Sequence, residues 1–244
     1  MTLHHQIEGE GDRVVVLAGS LGSSLAMWDL QIPTLADRHR VLRYDHPGHG
    51  QSPLSEDRTV EALAEQLVGL LDDLGFAQVS FCGLSLGGAV GMRVALDAPH
   101  RIDRLVLCST SARFSTPEFW DRRAEAVRSG GVEAVADEVL DRWFTPGLSD
   151  VRRYRDMLLS TPAEGYARCC EAVRDWNVRG ALGAVRAPTL AIAGADDPST
   201  PPDELRAIVN EIPDSRLTVL NGRHLVNVEQ ADEFNEALLR HLES

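Results

Sequence analysis

The stretch Gly83-Leu84-Ser85-Leu86-Gly87-Gly88 has the makings of a nucleophilic centre. It has the form G-x-S-x-G and lies between an apolar run that suits a strand and a small-residue run that suits a helix. A serine on a sharp strand-to-helix turn lifts its hydroxyl above the end of a sheet. Such a turn is strained and needs small neighbours, because other chain passes close by. Gly83 and Gly87 supply that room, while Gly88, Ala89 and Gly91 let the helix lie against the sheet. The plainer reading is a glycine-rich turn with an incidental serine. The residues that follow Ser85 argue against it.

A serine hydroxyl is a weak nucleophile at neutral pH and needs an adjacent base. In the elbow architecture an acid and then a histidine follow the serine in chain order. Three histidines come after Ser85: His100, His224 and His241. His100 comes before any later strand. His241 falls in an amphipathic terminal helix and is expected to face solvent. His224, in Asn221-Gly222-Arg223-His224, follows the last strand, where a loop leaves the carboxyl edge of the sheet. Catalytic groups gather at that edge in open parallel sheets. The acid should follow the preceding strand, in Gly194-Ala195-Asp196-Asp197-Pro198. Asp197 is preferred, with Asp196 the alternative as a turn residue bonding its own backbone. A buried Asp accepting from the imidazole would fix its tautomer and stabilise the imidazolium. An oxyanion hole should combine the backbone N–H of Leu86 with that of Ser20, in the loop Ala18-Gly19-Ser20-Leu21-Gly22 after the first long strand.

The elements that must hold these residues alternate. Strand-like runs fall at 14–18, 40–44, 79–82, 104–108, 189–193 and 217–220. Helical spacing covers Val60 to Leu74, with Gly75 as a stop, and a small-residue helix runs from about Leu86 to Leu96. Phe234, Leu238, Leu239 and Leu242 form a closing helical stripe. Strands interleaved with helices predict an α/β fold with a mostly parallel sheet covered on both faces. One region breaks the rhythm: from Thr116 to Val178 there are charged amphipathic helices and no good strand. Trp120, Trp143 and Trp176 fall there. The expected organisation is a core of residues 1–115 and 179–244 with a helical cap at 116–178.

Composition narrows the partners. The 244 residues carry a formal charge of −13. Neither a nucleic-acid backbone nor an anionic membrane surface suits that balance, because both demand clustered Lys and Arg. Four Cys do not make a disulfide framework; Cys82 and Cys108 read as core hydrophobes, and adjacent Cys169-Cys170 have no zinc spacing. No run approaches the length of a membrane span, and no signal peptide is visible at the N-terminus. The expected address is the cytoplasm. Formation of a homo-oligomer is compatible with the sequence.

With these residues in hand, the chain resembles the α/β-hydrolase superfamily over nearly its whole length. Within it, the sequence is similar to the 3-oxoadipate enol-lactonases. The similarity lies in Gly19-Ser20-Leu21-Gly22 with Met27-Trp28, in Tyr44-Asp45-His46-Pro47-Gly48-His49-Gly50, and in the elbow. It extends to Arg142-Trp143-Phe144-Thr145-Pro146, Thr161-Pro162-Ala163-Glu164-Gly165-Tyr166 and Cys169-Cys170. The resemblance implies an α/β-hydrolase fold. The N-terminal strand pair looks shortened to His4–Glu8, so seven strands are as consistent as eight. A decarboxylase domain fused to some relatives is not expected here.

The resemblance further implies hydrolysis of an unsaturated five-membered lactone bearing an acetate group. Ser85 would attack the ring carbonyl and His224 would take its proton, with no metal or organic cofactor. An anionic lactone must meet a local cation in a chain this acidic. Arg142, beside Trp143, is the candidate and Arg113 the alternative, since an Arg fork binds a carboxylate bidentately. Trp120 and Trp143 would wall the ring. Surface solvation or a structural ion pair accounts for either arginine equally well. Another lactonase or esterase, a cofactor-free haloperoxidase or a C–C bond hydrolase would share every catalytic residue. A small-molecule receptor of this fold with low turnover would also keep them.

Overall fold

The computed structural model describes residues 2–244. Seven strands form one sheet: β1 (His5–Glu8), β2 (Val14–Ala18), β3 (Arg40–Tyr44), β4 (Val79–Leu84), β5 (Ile102–Cys108), β6 (Thr189–Gly194) and β7 (Ser215–Leu220). Their order is β1-β3-β2-β4-β5-β6-β7. Only β1 runs antiparallel, beside β3. The strand count is therefore seven among the described residues. The central strands β4 and β6 are buried at every position, as parallel strands covered on both faces must be. That is why they carry no charged residue and are apolar or small at nearly every position.

Before β5 the helices are α1 (Ile32–Ala36), α2 (Val60–Asp73) and α3 (Leu86–Asp97). Each boundary has a local cause. Thr59 caps α2 by accepting from the Ala62 N–H, and Gly75 turns the chain away at φ +73°. α3 buries almost its whole length because Gly87, Gly88, Ala89 and Gly91 bring it onto the sheet. Between β5 and β6 the chain forms α4 (Pro117–Gly130), α5 (Glu133–Trp143), α6 (Arg152–Leu159) and α7 (Ala163–Arg174). Thr116 caps α4, with Pro117 at its first turn. The segment leaves and rejoins the sheet at one place. Trp176 Nε1 donates to Ser111 O at 3.0 Å and Val178 N to Ala112 O at 2.9 Å. The chain closes with α8 (Pro202–Glu211), the single turn α9 (Val226–Glu229) and α10 (Ala231–Leu242). No helix of the described residues is long and apolar enough to cross a membrane.

His241 does not face solvent. It lies on the inner stripe of α10, 1% exposed. Its Nε2–H is shared between Leu105 O at 3.2 Å and Pro188 O at 3.1 Å. An imidazole with one donor satisfied is apolar enough to sit beneath the end of a sheet, and helical periodicity does not separate it from a solvated one. Burial, the largest effect, pushes its pKa down to about 4. Burial does the same to His46 and His49 in the loop after β3.

All three histidines are neutral when folded and titrate normally when unfolded. Above their ordinary pKa neither state binds the proton. As pH falls below about 6.5 the unfolded chain takes up protons that the folded chain refuses, and stability is lost down to about pH 4. Urea midpoints should therefore drop steeply from pH 7 to 4.5. Each histidine contributes at most about 1.4 kcal/mol per pH unit in that window. His241→Gln should be less stable at pH 7 yet show a shallower drop; an unchanged slope would mean that His241 titrates normally in the fold.

Candidate active site

Ser85 stands at the turn from β4 into α3 with φ +57° and ψ −112°. A non-glycine residue holds such a conformation only where its surroundings over-determine it. Here the Ser85 N–H donates to Cys108 O at 2.9 Å, and Thr110 Oγ1 donates to Ser85 O at 2.8 Å. Two glycines permit the crossing. A β-carbon on Gly83 would overlap the Gly87 carbonyl, and one on Gly87 would overlap the Ala18 carbonyl. The Ser85 side chain makes no capping bond to the helix it starts, which leaves Oγ to the cavity above.

The loops after β6 and β7 bring the acid and the imidazole to the same edge. His224 Nδ1–H donates to Asp197 Oδ2 at 2.8 Å. Asp197 is 3% exposed and also accepts from Thr200 Oγ1 at 2.7 Å and from Ser199 N at 2.8 Å. Burial pushes its carboxyl up, but the His224 charge and these hydrogen bonds outweigh that and hold it below the usual carboxylate range. Asp197 is thus a fixed anion at the Nδ1 edge of the ring, and Nε2 keeps its lone pair for a proton. Asp196 is exposed, and its N–H bonds Gly222 O at 2.9 Å. Of the two aspartates only Asp197 meets the histidine.

The loop after β2 approaches the elbow through Gly87 N, which donates to Gly19 O at 3.0 Å. This sets Ser20 beside the start of α3, where the Leu86 N–H has no partner within its own helix. Ser20 N lies 3.3 Å from Met27 Sδ, a weak acceptor that a developing oxyanion would displace. Two buried histidines fix the loop. His46 Nε2–H donates to Gly19 O at 2.9 Å, and His49 Nε2 accepts from Gly22 N at 3.0 Å while its Nδ1–H meets Pro47 O. The partners dictate the tautomer of each neutral ring.

The cavity over Ser85 has a volume of about 560 Å3 with its open mouth. Ser20, His224, Trp120, Trp143, Arg142 and Arg123 are among its lining residues. Arg113 is exposed and lines a neighbouring surface groove that shares Phe114, Ser115 and Ser199 with the cavity. Arg123 was not singled out by sequence reasoning. It is 8% exposed, and its Nη1 lies 3.3 Å from Tyr166 Oη. Its one sequence signal is its place three residues after Trp120, on the same face of α4. No group of residues able to hold a metal ion occurs among the described residues.

The family model for the α/β-hydrolase fold matches residues 12–231. The chain belongs to the α/β-hydrolase family. Among relatives of this hydrolase, 3-oxoadipate enol-lactonase 2 of Acinetobacter baylyi is 36% identical over 98% of the chain and 92% of its own length. RutD of Stutzerimonas stutzeri, whose name assigns it provisionally to carbamate hydrolysis, is 31% identical over 98% of each chain. The crystal structure of the enol-lactonase from Burkholderia xenovorans LB400 superposes with a TM-score of 0.95 at 38% identity. It covers 99% of this chain and 96% of that one. Fold and relatives make the protein an enzyme, a hydrolase of esters or lactones.

Gly87→Ala should force the elbow away from β2. Overpacking of this kind costs about 1–3 kcal/mol of stability. Hydrolysis of p-nitrophenyl acetate by the fraction still folded should fall as well, because the Leu86 and Ser20 donors separate. Full activity per folded molecule would show that the spacing of these loops is not critical.

Proposed function

We propose that this hydrolase opens the ring of 3-oxoadipate enol-lactone to give 3-oxoadipate, a step of the β-ketoadipate pathway of aromatic catabolism in the cytoplasm. Residues 116–178 act as a cap over a core of 1–115 and 179–244. The observation that carries this reading is the cavity itself. It joins Ser85 and the Asp197-held His224 to aromatic walls and to guanidinium groups, which suits a small flat ring bearing a carboxylate. The enol-lactonase relatives point to the same substrate. The relative provisionally named a carbamate hydrolase supports a second reading, hydrolysis of a small carbamate.

Ser85 Oγ attacks the lactone carbonyl as His224 Nε2 takes its proton. The oxyanion lies against the N–H groups of Leu86 and Ser20. As the intermediate collapses the ring C–O bond breaks and the His224 imidazolium gives its proton to the leaving oxygen. The enol stays tethered within the acyl group on Ser85, ketonises there or after release, and leaves His224 neutral. Water deprotonated by His224 then attacks the acyl carbonyl and releases the dicarboxylate product. Asp197 stays ionised throughout and stabilises the imidazolium.

Incubation with the enol-lactone and loss of its absorbance is the direct test. Ser85→Ala should lower turnover on the order of 10⁴-fold or more without unfolding the chain. Asp197→Asn should cost orders of magnitude by offering the ring the wrong partner, and Asp196→Asn very little. The reverse ranking would move the acid to Asp196. Activity above a few per cent in Ser85→Ala would end the nucleophile assignment.

Arg142 lies 32% exposed at the end of α5, with Nε and Nη2 on Glu138 and the guanidinium 5.4 Å from the Phe119 ring. If it meets the acetate group, Arg142→Ala should raise KM for the lactone about 10- to 150-fold, the size of a charge-assisted contact. The kcat/KM for p-nitrophenyl acetate should stay within a few-fold. Equal losses on both substrates would make Arg142 a brace of the cap.

A further inference from the structure

Two guanidinium groups stand in the cavity wall, and both bond the same carboxylate oxygen. Arg123 Nη2 lies 2.7 Å from Glu138 Oε1. Arg142 reaches that oxygen with Nε at 3.1 Å and Nη2 at 2.9 Å. Glu138 is not part of the cavity lining and is 52% exposed. No Asp or Glu is among the lining residues. Two cations and one anion leave a single positive charge facing the space above Ser85.

A Glu four residues before an Arg on one helix is ordinary surface electrostatics. The third partner makes this cluster different. Arg123 comes from α4, is buried, and lies 4.8 Å from the Phe119 ring centroid and 6.0 Å from that of Trp120. It does tie α4 to α5 through Glu138 and to α7 through Tyr166. That tie uses one positive charge and one negative. It leaves Arg142 without a carboxylate of its own. Arg142, a third exposed, keeps part of its water in the free protein, and a ligand carboxylate that displaced this water would supply the anion that offsets its desolvation.

We propose that the Arg123–Glu138–Arg142 cluster sets the charge of the ligand at one. The site takes a small organic acid with a single carboxylate and discriminates against dicarboxylates. Glu138 is the residue that fixes the count, acting through the two arginines. The inference deepens the proposed reaction and rests on its anionic substrate: the lactone carries one carboxylate, and its hydrolysis creates a second. A product with two negative charges is therefore held less well than the substrate, which favours release.

Trp120 and Trp143 line the cavity, so intrinsic fluorescence reports binding without turnover. Wild type and Glu138→Gln would be titrated with propionate and with succinate at constant ionic strength. Wild type should bind propionate more tightly than succinate. In Glu138→Gln the succinate Kd should fall on the order of tenfold, the size of one charge-assisted contact, and the propionate Kd much less. Arg123→Lys keeps the charge and loses the fork; it should weaken propionate several-fold and keep the preference for one carboxylate. Equal shifts for both acids in Glu138→Gln, no shift, or no binding of either acid by either protein would overturn the proposal. Absence of lactone turnover in a wild type that keeps the charge preference would sink the proposed substrate alone. Lactone turnover without the preference would sink the charge count alone.

Discussion

Everything at the carboxyl edge of the sheet is arranged around one backbone conformation, the left-handed turn at Ser85. Its stability does not come from the serine. It comes from Cys108 and Thr110 at the end of β5, which hold the peptide groups on either side of the turn. It also needs two residues without β-carbons, at which β2, β4 and α3 cross almost in contact. The strain at such a residue is of order 1–3 kcal/mol, and a well-packed parallel sheet easily supplies that. The turn in turn dictates where the other groups must be. Gly87 N–H reaches back to Gly19, so the loop after β2 cannot shift without moving the elbow.

The segment proposed as the cap is tied directly to the proposed base. The carbonyls at the end of α5, Arg142 O and Trp143 O, accept from His224 N at 3.4 Å and from Leu225 N at 3.1 Å. Glu229 reinforces the junction: its carboxylate accepts from Thr145 N at 2.8 Å and from Arg223 N at 2.6 Å. Arg223 also donates to Asp141 O. At the far side, Gly165 in α7 packs on Gly48 so closely that neither could carry a side chain there. A shift of the end of α5 would therefore move the loop that carries His224 with it.

The elbow, Asp197 and His224 were legible because chain order and strand ends constrain them strongly. β2 falls where an unbroken apolar run puts it, and β3 spans the strand-like stretch Arg40–Tyr44 despite its two arginines. Other features leave no mark in the pattern of residue types. His241 sits on an amphipathic helix, and a neutral imidazole with backbone acceptors looks the same in sequence as a solvated one. His46 and His49 drew attention only through a family resemblance; their work, one donor and one acceptor for the loop after β2, depends on tautomers that no spacing encodes. Arg123 hides in the charged run Asp121-Arg122-Arg123, where periodicity alone separates an inward cation from an outward one. The bond it makes to Glu138 joins two helices whose packing angle the sequence does not display.

The acidic surface and the cationic cavity are compatible because they act over different distances. At physiological ionic strength the Debye length is about 8 Å, so most of the −13 is invisible to a ligand that has entered. Inside, Arg123 is shielded from water by Phe119, Trp120 and Tyr166, and its field is screened far less. The exposed carboxylates raise solubility and repel anions at a distance, at some cost in encounter rate. In the proposed reading the unmatched charge is that of Arg142 in the cavity wall, and it acts on a ligand only once that ligand has entered. A global charge of one sign and a local charge of the other are what an enzyme needs if it must stay soluble and still bind an acid.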